Sequence, residues 1–419
     1  MSGNNNISLN YPIGTAYGHC HISTFFKKLF AKCYEKDSTP ELVITNSITD
    51  LKSDVAALNK DGITELSYDY LHAMEASLKD VGFRYVVINK DGKPVLFAYF
   101  QLYRLSTQNF KLDDGNSFMQ RIVSFFLKFK KAKVVILGNA LRTDTLAFSF
   151  DMHAMSSDEA IASVATIADK IATDIGATAV ILKDTGGNTL QANKMLADMG
   201  YKMPWPDQVM DLALQPEWNT LNDYINNLSR KYKTRANKVL ASSKDIVKRT
   251  LTADEITKYV PAIKRLFAGL IEKQSFTLTQ RGVNNIAQLK QLYKGAFEVV
   301  GYFKDDKLAA FYSAFVKGDT YELYYVGFDY ALNNEYQLYF NILFSGLERA
   351  ILLKKKTLNL GRTSFDAKAS MGAIPKNADY LIRLIHIPDV AVKWFTKYFS
   401  SLEDAKWKLR RPFKNTEPA

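Results

Sequence analysis

Apolar runs alternate with amphipathic stretches along the chain, and one pattern occurs twice. Residues 85–102 and 299–316 each contain two β-branched and aromatic runs joined by a KDGK or KDDK turn, which predicts a β-hairpin. A pattern that recurs in this way indicates a duplicated fold.

After each hairpin the pattern predicts a strand, a helix, a strand, a helix and a last strand. In the first copy these elements are the strand 144–151, the helix 157–174, the strand TAVILKDT, a helix ending LADMGYK and the strand 208–214. In the second copy they are the strand 319–329, the helix 334–354, the strand TLNLGRT, a helix ending ASMGA and the strand 379–387. Both late helices end at a Met-Gly pair, where glycine can adopt the left-handed C-cap conformation. The order mixes antiparallel pairing with a parallel crossover. It is similar to the GNAT core and predicts an α/β chain of two tandem GNAT-like acyltransferase domains, residues 1–215 and 216–419, with mixed sheets flanked by helices.

Composition narrows the class of protein. Of 419 residues, 47% are hydrophobic and 23% charged, which excludes a largely disordered or fibrous chain. The net charge of +12 predicts an anionic partner. Two cysteines build no disulfide framework, and the sequence has neither a secretory signal pattern nor an apolar span, so we expect a cytoplasmic protein with at most peripheral membrane contact.

The cysteines and nearby histidines raise the question of a metal site. His19, Cys20, His21 and Cys33 lie close in sequence, but their spacing fits no closed zinc pattern. A plain N-terminal segment is the favoured interpretation, and no metal is expected.

Positive charge is concentrated in two stretches. Residues 221–250 contain eight basic and two acidic side chains, which is consistent with a binding surface and equally with a solvated helix face. Arg235 projects onto the edge of the apolar stripe of this helix and needs an anionic partner. Residues 393–414 mix seven basic side chains with aromatics, typical of a nucleic-acid or anionic-membrane contact or of a packed terminal helix.

The most distinctive string is LNLGRTSFDAKASMGA, because familiar phosphate loops and hydrolase motifs are absent. Gly361 permits a close turn, and Arg362 and Thr363 follow a strand at the end where open α/β sheets place ligands. Thr363 or Ser364 is expected to cap a short helix that carries Lys368. These features favour phosphate or carboxylate binding.

The alternative is that the cations of this string are neutralised within the protein. Arg362 and Lys368 would then pair with Asp366 and Asp329.

The duplication, the helices LSRKYKTRANKVL and NNEYQLYFNILFSGLERAI, and the string GRTx4Kx2MG together resemble the Fem-type aminoacyl transferases, a tandem-GNAT family, over residues 66–386. The resemblance implies a bacterial enzyme that moves an aminoacyl group from tRNA onto a peptidoglycan precursor. Lys368 matches the lysine that meets the donor, although Ala367 stands where the family often has an aromatic. The glycine signature that binds coenzyme A in ordinary GNAT enzymes is missing from ALNNEYQ and MHAMSSDEA, which disfavours that donor.

The resemblance also implies roles for particular residues. Lys368 would stabilise the oxyanion or the donor, Asp329 would act as base, and Tyr325 or Tyr339 would orient the nucleophile or protonate the leaving oxygen. The phosphate-binding candidates are Gly361, Arg362, Thr363, Arg230, Lys231 and Arg235.

Three functions stay open from sequence alone. The first is a Fem-like acyltransferase with aminoacyl-tRNA or acyl-CoA as donor, no tightly bound cofactor, and a UDP-linked or lipid-linked precursor as acceptor. The second is an acyl-CoA-dependent N-acyltransferase acting on a small amine or lipid head group. The third is a non-catalytic tandem-GNAT protein that binds a polyanion or an anionic membrane.

Overall fold

The chain forms two compact units in the computed structural model. The described residues are 40–106, 109, 132–142, 145–185, 190–203, 207–273, 277–278, 282–378, 380–385 and 408–414. Those up to 203, together with 380–385, belong to the first unit, and 207–378 and 408–414 belong to the second. The His19 to Cys33 segment and most of the basic run 393–414 lie outside the described residues. None of the helices described is both long and apolar enough to cross a membrane.

Each unit is built around one mixed sheet. The strands are β1 (Glu41–Thr45), β2 (Gly82–Lys90), β3 (Lys93–Leu105), β4 (Ala132–Leu137), β5 (Phe148–Phe150), β6 (Ala179–Lys183), β7 (Asp207–Ala213), β8 (Val247–Thr250), β9 (Phe297–Lys304), β10 (Lys307–Lys317), β11 (Thr320–Phe328), β12 (Thr357–Asn359), β13 (Ile374–Ala378) and β14 (Tyr380–Leu384). The first sheet has the order β1-β2-β3-β4-β6-β14, with β5 on β3, and the second has the order β13-β7-β12-β11-β10-β9-β8. In each sheet, one central pair is parallel, β4 with β6 and β11 with β12. The predicted class of two mixed sheets flanked by helices is confirmed.

Helices flank both sheets. The first unit contains α1 (Lys52–Leu58), α2 (Tyr68–Ser77), α3 (Ser157–Ile175) and α4 (Leu190–Asp198). The second contains α5 (Leu221–Asn227), α6 (Arg230–Ser242), α7 (Ala253–Ile271), α8 (Ile286–Tyr293), α9 (Tyr330–Tyr336), α10 (Leu338–Leu352) and α11 (Phe365–Ala369). The apolar side chains of α10 pack on the second sheet in a core with β11, β12 and α5.

The two predicted hairpins are present, and one predicted strand is shorter than expected. β2 pairs with β3 and β9 with β10, both antiparallel. Of the strand predicted over residues 144–151, Phe148–Phe150 form a strand that pairs with Leu96–Ala98 of β3. An additional strand, β4, pairs with the rest of β3 and was not predicted. The run AKVVIL is short and apolar, a pattern that does not distinguish a strand from a buried helix segment.

The last strand of each predicted copy belongs to the other sheet. β7, expected to complete the first copy, pairs with β12 and β13 in the second sheet, and β14 pairs with β6 in the first. The division into units therefore differs from the predicted boundary after residue 215. Within the first unit, Arg383 of β14 pairs with Asp169 of α3, and the hydroxyl of Tyr201 donates to the same carboxylate at 2.8 Å.

Two helices predicted as continuous are broken, and both breaks lie near the candidate site. The basic helix is interrupted at Leu228 and Ser229, whose backbones are extended. The aromatic helix is interrupted at Gln337, which is left-handed with φ 44°. The first break makes room for a returning chain segment, since the amide of Ser229 donates to the carbonyl of Pro412 at 2.8 Å.

Candidate functional site

The pairing between the two parallel strands of the second sheet is short. Along β11, β12 pairs with Thr320–Glu322, the first three residues of that strand. Beyond β12 the chain bonds to β7 instead: the amide of Leu360 donates to the carbonyl of Met210 at 2.8 Å, and the amide of Met210 donates to that of Gly361 at 3.1 Å. Ligands of open α/β sheets bind outside such carboxyl ends.

The loop that follows β12 has an unusual backbone. Gly361, Thr363 and Ser364 all have left-handed φ values, of 71°, 63° and 52°. The predicted close turn at Gly361 is confirmed. Left-handed residues other than glycine are uncommon and cluster at sites where the surrounding structure enforces them. We call residues 361–364 the GRTS loop.

The expected cap of the short helix is wrong. Ser364 occupies the N-cap position of α11, but its side chain makes no capping hydrogen bond. The reason is its left-handed backbone, since a capping residue is normally extended. Arg362 and Thr363 are exposed on the loop.

Lys368 is the most unusual residue of the site. Its side chain is buried, with the residue 3% exposed, and Nζ donates to the carbonyls of Gly361 at 2.9 Å and Arg362 at 2.5 Å. The alternative, that Lys368 pairs with a carboxylate, is not found among the described residues. The nearby carboxylate of Asp366 pairs with Arg410 instead, at 3.1 Å. Burial away from water lowers the pKa of Lys368 to about 7. Both its charged and its neutral form are therefore populated near neutral pH.

This depressed pKa predicts a measurable pH dependence of stability. In the unfolded chain a lysine keeps a pKa of about 10.4, so between pH 7 and 10 the unfolded state binds more protons and the stability contributed by this group rises with pH. Urea unfolding of wild type and Lys368→Met at pH 7.5 and 9.5 should show the wild type gaining about 2 kcal/mol relative to the variant. Other titrations cancel in this difference. If the difference in unfolding free energy between wild type and variant is the same at both pH values, the pKa of Lys368 is not depressed and the prediction fails.

Tyr339 meets the same loop as Lys368. It lies in the first turn of α10, and its hydroxyl is close enough to the side chain of Ser364 to be influenced by it. Its ring packs against Phe328 with the centroids 5.7 Å apart. Burial raises the pKa of Tyr339 to about 12, so the phenol is protonated and can donate. The GRTS loop thus brings Lys368 and Tyr339 to one place.

Tyr325 faces a different part of the unit. A β-bulge sets Tyr324 and Tyr325 opposite the single residue Ser313 of β10. The bulge turns the ring of Tyr325 toward α7, where its centroid lies 5.1 Å from that of Phe267, and its hydroxyl accepts from that of Tyr324 at 2.9 Å. Tyr325 therefore packs as a core aromatic, the alternative that the sequence leaves open for it, and a role in the reaction stays a prediction.

Asp329 occupies the end of β11 as expected. Its carboxylate caps α9, since Oδ1 accepts from the amide of Ala331 at 2.9 Å. A structural role for this carboxylate is thus visible, and its role as base stays a prediction.

A basic pocket lies beside α11. It encloses about 450 Å³ and is lined by Lys231, Tyr232, Arg235, Phe340, Asp366, Ala367, Ser370 and Arg410. Three of these side chains are cationic and one is anionic. The guanidinium of Arg235 lies 4.5 Å from the centre of the Phe340 ring, so its partner here is an aromatic face instead of the expected anion. Among the predicted cations of α6, Lys231 and Arg235 line the pocket, whereas Arg230 is exposed at the start of the helix.

Phe340 and Arg410 are members of this pocket that sequence reasoning missed. Phe340 lies in an aromatic run that reads as core, and Arg410 comes from the second basic stretch, far along the chain from α6. The only signal for Arg410 was the density of basic residues near the end of the sequence.

No family model and no curated protein matches the chain. Among solved structures it resembles FemX, with 10% identity, a TM-score of 0.49 and coverage of 85% of this chain and 100% of FemX. It also resembles a tandem GNAT protein from the clavulanic acid biosynthesis pathway, with 12% identity, a TM-score of 0.47 and coverage of 84% of this chain and 100% of that protein. A third similar structure is the C-terminal domain of a putative lysylphosphatidylglycerol synthetase from Agrobacterium fabrum, with 10% identity, a TM-score of 0.44 and coverage of 84% of this chain and 97% of that domain. FemX and a tandem GNAT protein are thus among the solved structures to which it is similar. At these identities the similarity concerns fold and does not extend to substrate.

Proposed function

We propose that this chain is an acyltransferase whose second unit joins an aminoacyl group to an amine of a cell-wall precursor. The observation that carries the proposal is the buried Lys368, held by the GRTS loop that follows β12, where the pairing of β12 with β11 ends. A lysine removed from water, with a pKa near 7, is the kind of group that active sites contain and that structural surfaces rarely do.

The chemistry asks little of the protein beyond position and charge. The acceptor amine attacks the carbonyl carbon of the donor ester, the carbonyl oxygen becomes an oxyanion, and collapse of the intermediate expels the donor alcohol. The ammonium form of Lys368 stabilises the oxyanion, an interaction that is strong where water is excluded. Tyr339, protonated at neutral pH, supplies a proton to the leaving oxygen, and Asp329 is our candidate to take the proton of the amine.

The donor in this proposal is an aminoacyl-tRNA. The chain lacks the glycine signature at ALNNEYQ that would hold the pyrophosphate of coenzyme A. Lys231 and Arg235 form a basic wall suited to the phosphates of a nucleotide-linked precursor or of tRNA. Arg230, Arg362 and Thr363 would add outer contacts.

Thermal shift tests the donor directly, because a ligand stabilises only the state that binds it. We expect a non-hydrolysable aminoacyl-RNA acceptor-stem analogue to raise Tm, and a UDP-linked muropeptide to raise it further. Coenzyme A should leave it unchanged. A shift with coenzyme A alone would replace this proposal by the acyl-CoA-dependent enzyme. A shift with uncharged RNA equal to that with the aminoacyl analogue, without label transfer to any amine, would favour a non-catalytic polyanion-binding protein.

A further inference from the structure

The segment 408–414 returns to the second unit and docks at the break between α5 and α6. We call it the strap. The amide of Lys414 donates to the carbonyl of Asn227 at 3.0 Å, and Phe413 forms a β-bridge with Leu228. These backbone bonds, with that of Ser229 to Pro412, fix the strap at both sides of the break.

Phe413 anchors the strap behind α11. Its ring lies 5.9 Å from the rings of both Trp218 and Tyr224, and it covers the turn at Gly372 that follows α11. The hydroxyl of Tyr224 donates to the carbonyl of Met371 at 2.9 Å. The turn after the helix of Lys368 is therefore held between Tyr224 and the strap.

The strap also contacts the beginning of α11 through a weak ion pair. Nη2 of Arg410 donates to Oδ1 of Asp366 at 3.1 Å, while about half of each side chain stays exposed, 41% for Arg410 and 54% for Asp366. Ion pairs this exposed contribute little to stability, so an incoming anion can replace the carboxylate without a large loss.

Arg410 changes the charge of the basic pocket. Without the strap, the pocket would present Lys231 and Arg235 beside Asp366; with it, three cations surround one carboxylate. The guanidinium fork binds phosphate oxygens with two parallel hydrogen bonds, a geometry that lysine lacks. The volume of about 450 Å³ is within the range of pockets that hold small molecules.

We propose that the strap contributes a ligand-binding side chain to the basic pocket. In this proposal Arg410 breaks its ion pair with Asp366 and binds a pyrophosphate group together with Lys231 and Arg235. The inference rests on the proposed function only for the identity of the molecule that carries the pyrophosphate.

The test measures binding of inorganic pyrophosphate to the full chain by calorimetry at 150 mM salt. Arg410→Met should weaken binding about tenfold, a loss typical of one charge-assisted interaction. Arg411→Met is the matched control, since it removes the same charge from the neighbouring exposed residue of the strap that does not line the pocket. It should change binding less than threefold.

Asp366→Asn separates a binding role of the pair from a merely structural one. It should tighten pyrophosphate binding at least threefold, because it frees Arg410 and removes the one anion among the described residues that line the pocket. Weaker binding in this variant, equal losses in the two arginine variants, or no binding by wild type would each overturn the proposal.

Competition identifies the source of the pyrophosphate. UDP and coenzyme A both carry one. Displacement of the inorganic ion by UDP agrees with the proposed function, displacement by coenzyme A alone supports the pyrophosphate site but favours the acyl-CoA-dependent enzyme, and failure of both would contradict the pyrophosphate site. Because none of these measurements involves turnover, loss of acyl transfer in a Lys368 variant leaves them unaffected, and each proposal can fail alone.

Discussion

Lys368→Met should lower the rate of aminoacyl transfer at least 100-fold while the protein remains folded, as expected when one stabilising group of a developing oxyanion is removed. Methionine fills the same buried space without the charge, and the lost bonds end on carbonyls of the GRTS loop. The measurement is incorporation of labelled amino acid into a UDP-linked muropeptide, with folding checked by circular dichroism.

The matched control is Lys307→Met, which removes an exposed lysine from the hairpin turn of the same unit and should retain full activity. The direction in which kcat changes with pH gives a second test of the role of Lys368. Because the ammonium form is the active one in the proposal, kcat should fall as pH rises through the pKa of Lys368, about 7. A rate that rises through this pKa would make Lys368 a base, and an unchanged rate in Lys368→Met would remove it from the reaction.

Gly372→Ala should destabilise the second unit by about 3 kcal/mol, the sum of left-handed strain and of overpacking. Gly372 has φ 93°, and a Cβ there would lie 2.3 Å from a ring carbon of Phe413. The ring is held by Trp218 and Tyr224 and has little room to move. Urea unfolding followed by intrinsic fluorescence measures the loss.

Gly318→Ala controls for the backbone alone. Gly318 is also left-handed, with φ 48°, but has no atom within 4 Å of its would-be Cβ. It should lose about 1 kcal/mol. Equal losses at the two glycines would mean that Phe413 adds nothing and that the strap is loosely held.

The hairpins and the order of elements could be predicted because alternation and turn residues are local signals. The choice of sheet, in contrast, is not encoded by a local signal. The seven residues of β7 and the five of β14 have ordinary strand patterns that do not specify which strand they pair with. The boundary between units therefore differed although the fold class was correct.

The candidate site was predicted in part for the same reason. Gly361 and Lys368 stood out by their spacing after a strand, but a lysine in a short helix normally reads as exposed, and its burial depends on the left-handed turns at Thr363 and Ser364. The pair of Arg410 with Asp366 joins residues 44 apart in sequence, a contact that no motif encodes.

The placement of β14 also constrains how the protein is made. Until residues 380–384 leave the ribosome, β6 is an edge strand with unpaired backbone groups, although the rest of its sheet has long been synthesised. Open edges of this kind recruit other chains and favour aggregation. The backbone groups at the edge of β6 therefore stay unpaired with β14 while the second unit is synthesised. A chain truncated before β14 would keep this edge strand exposed.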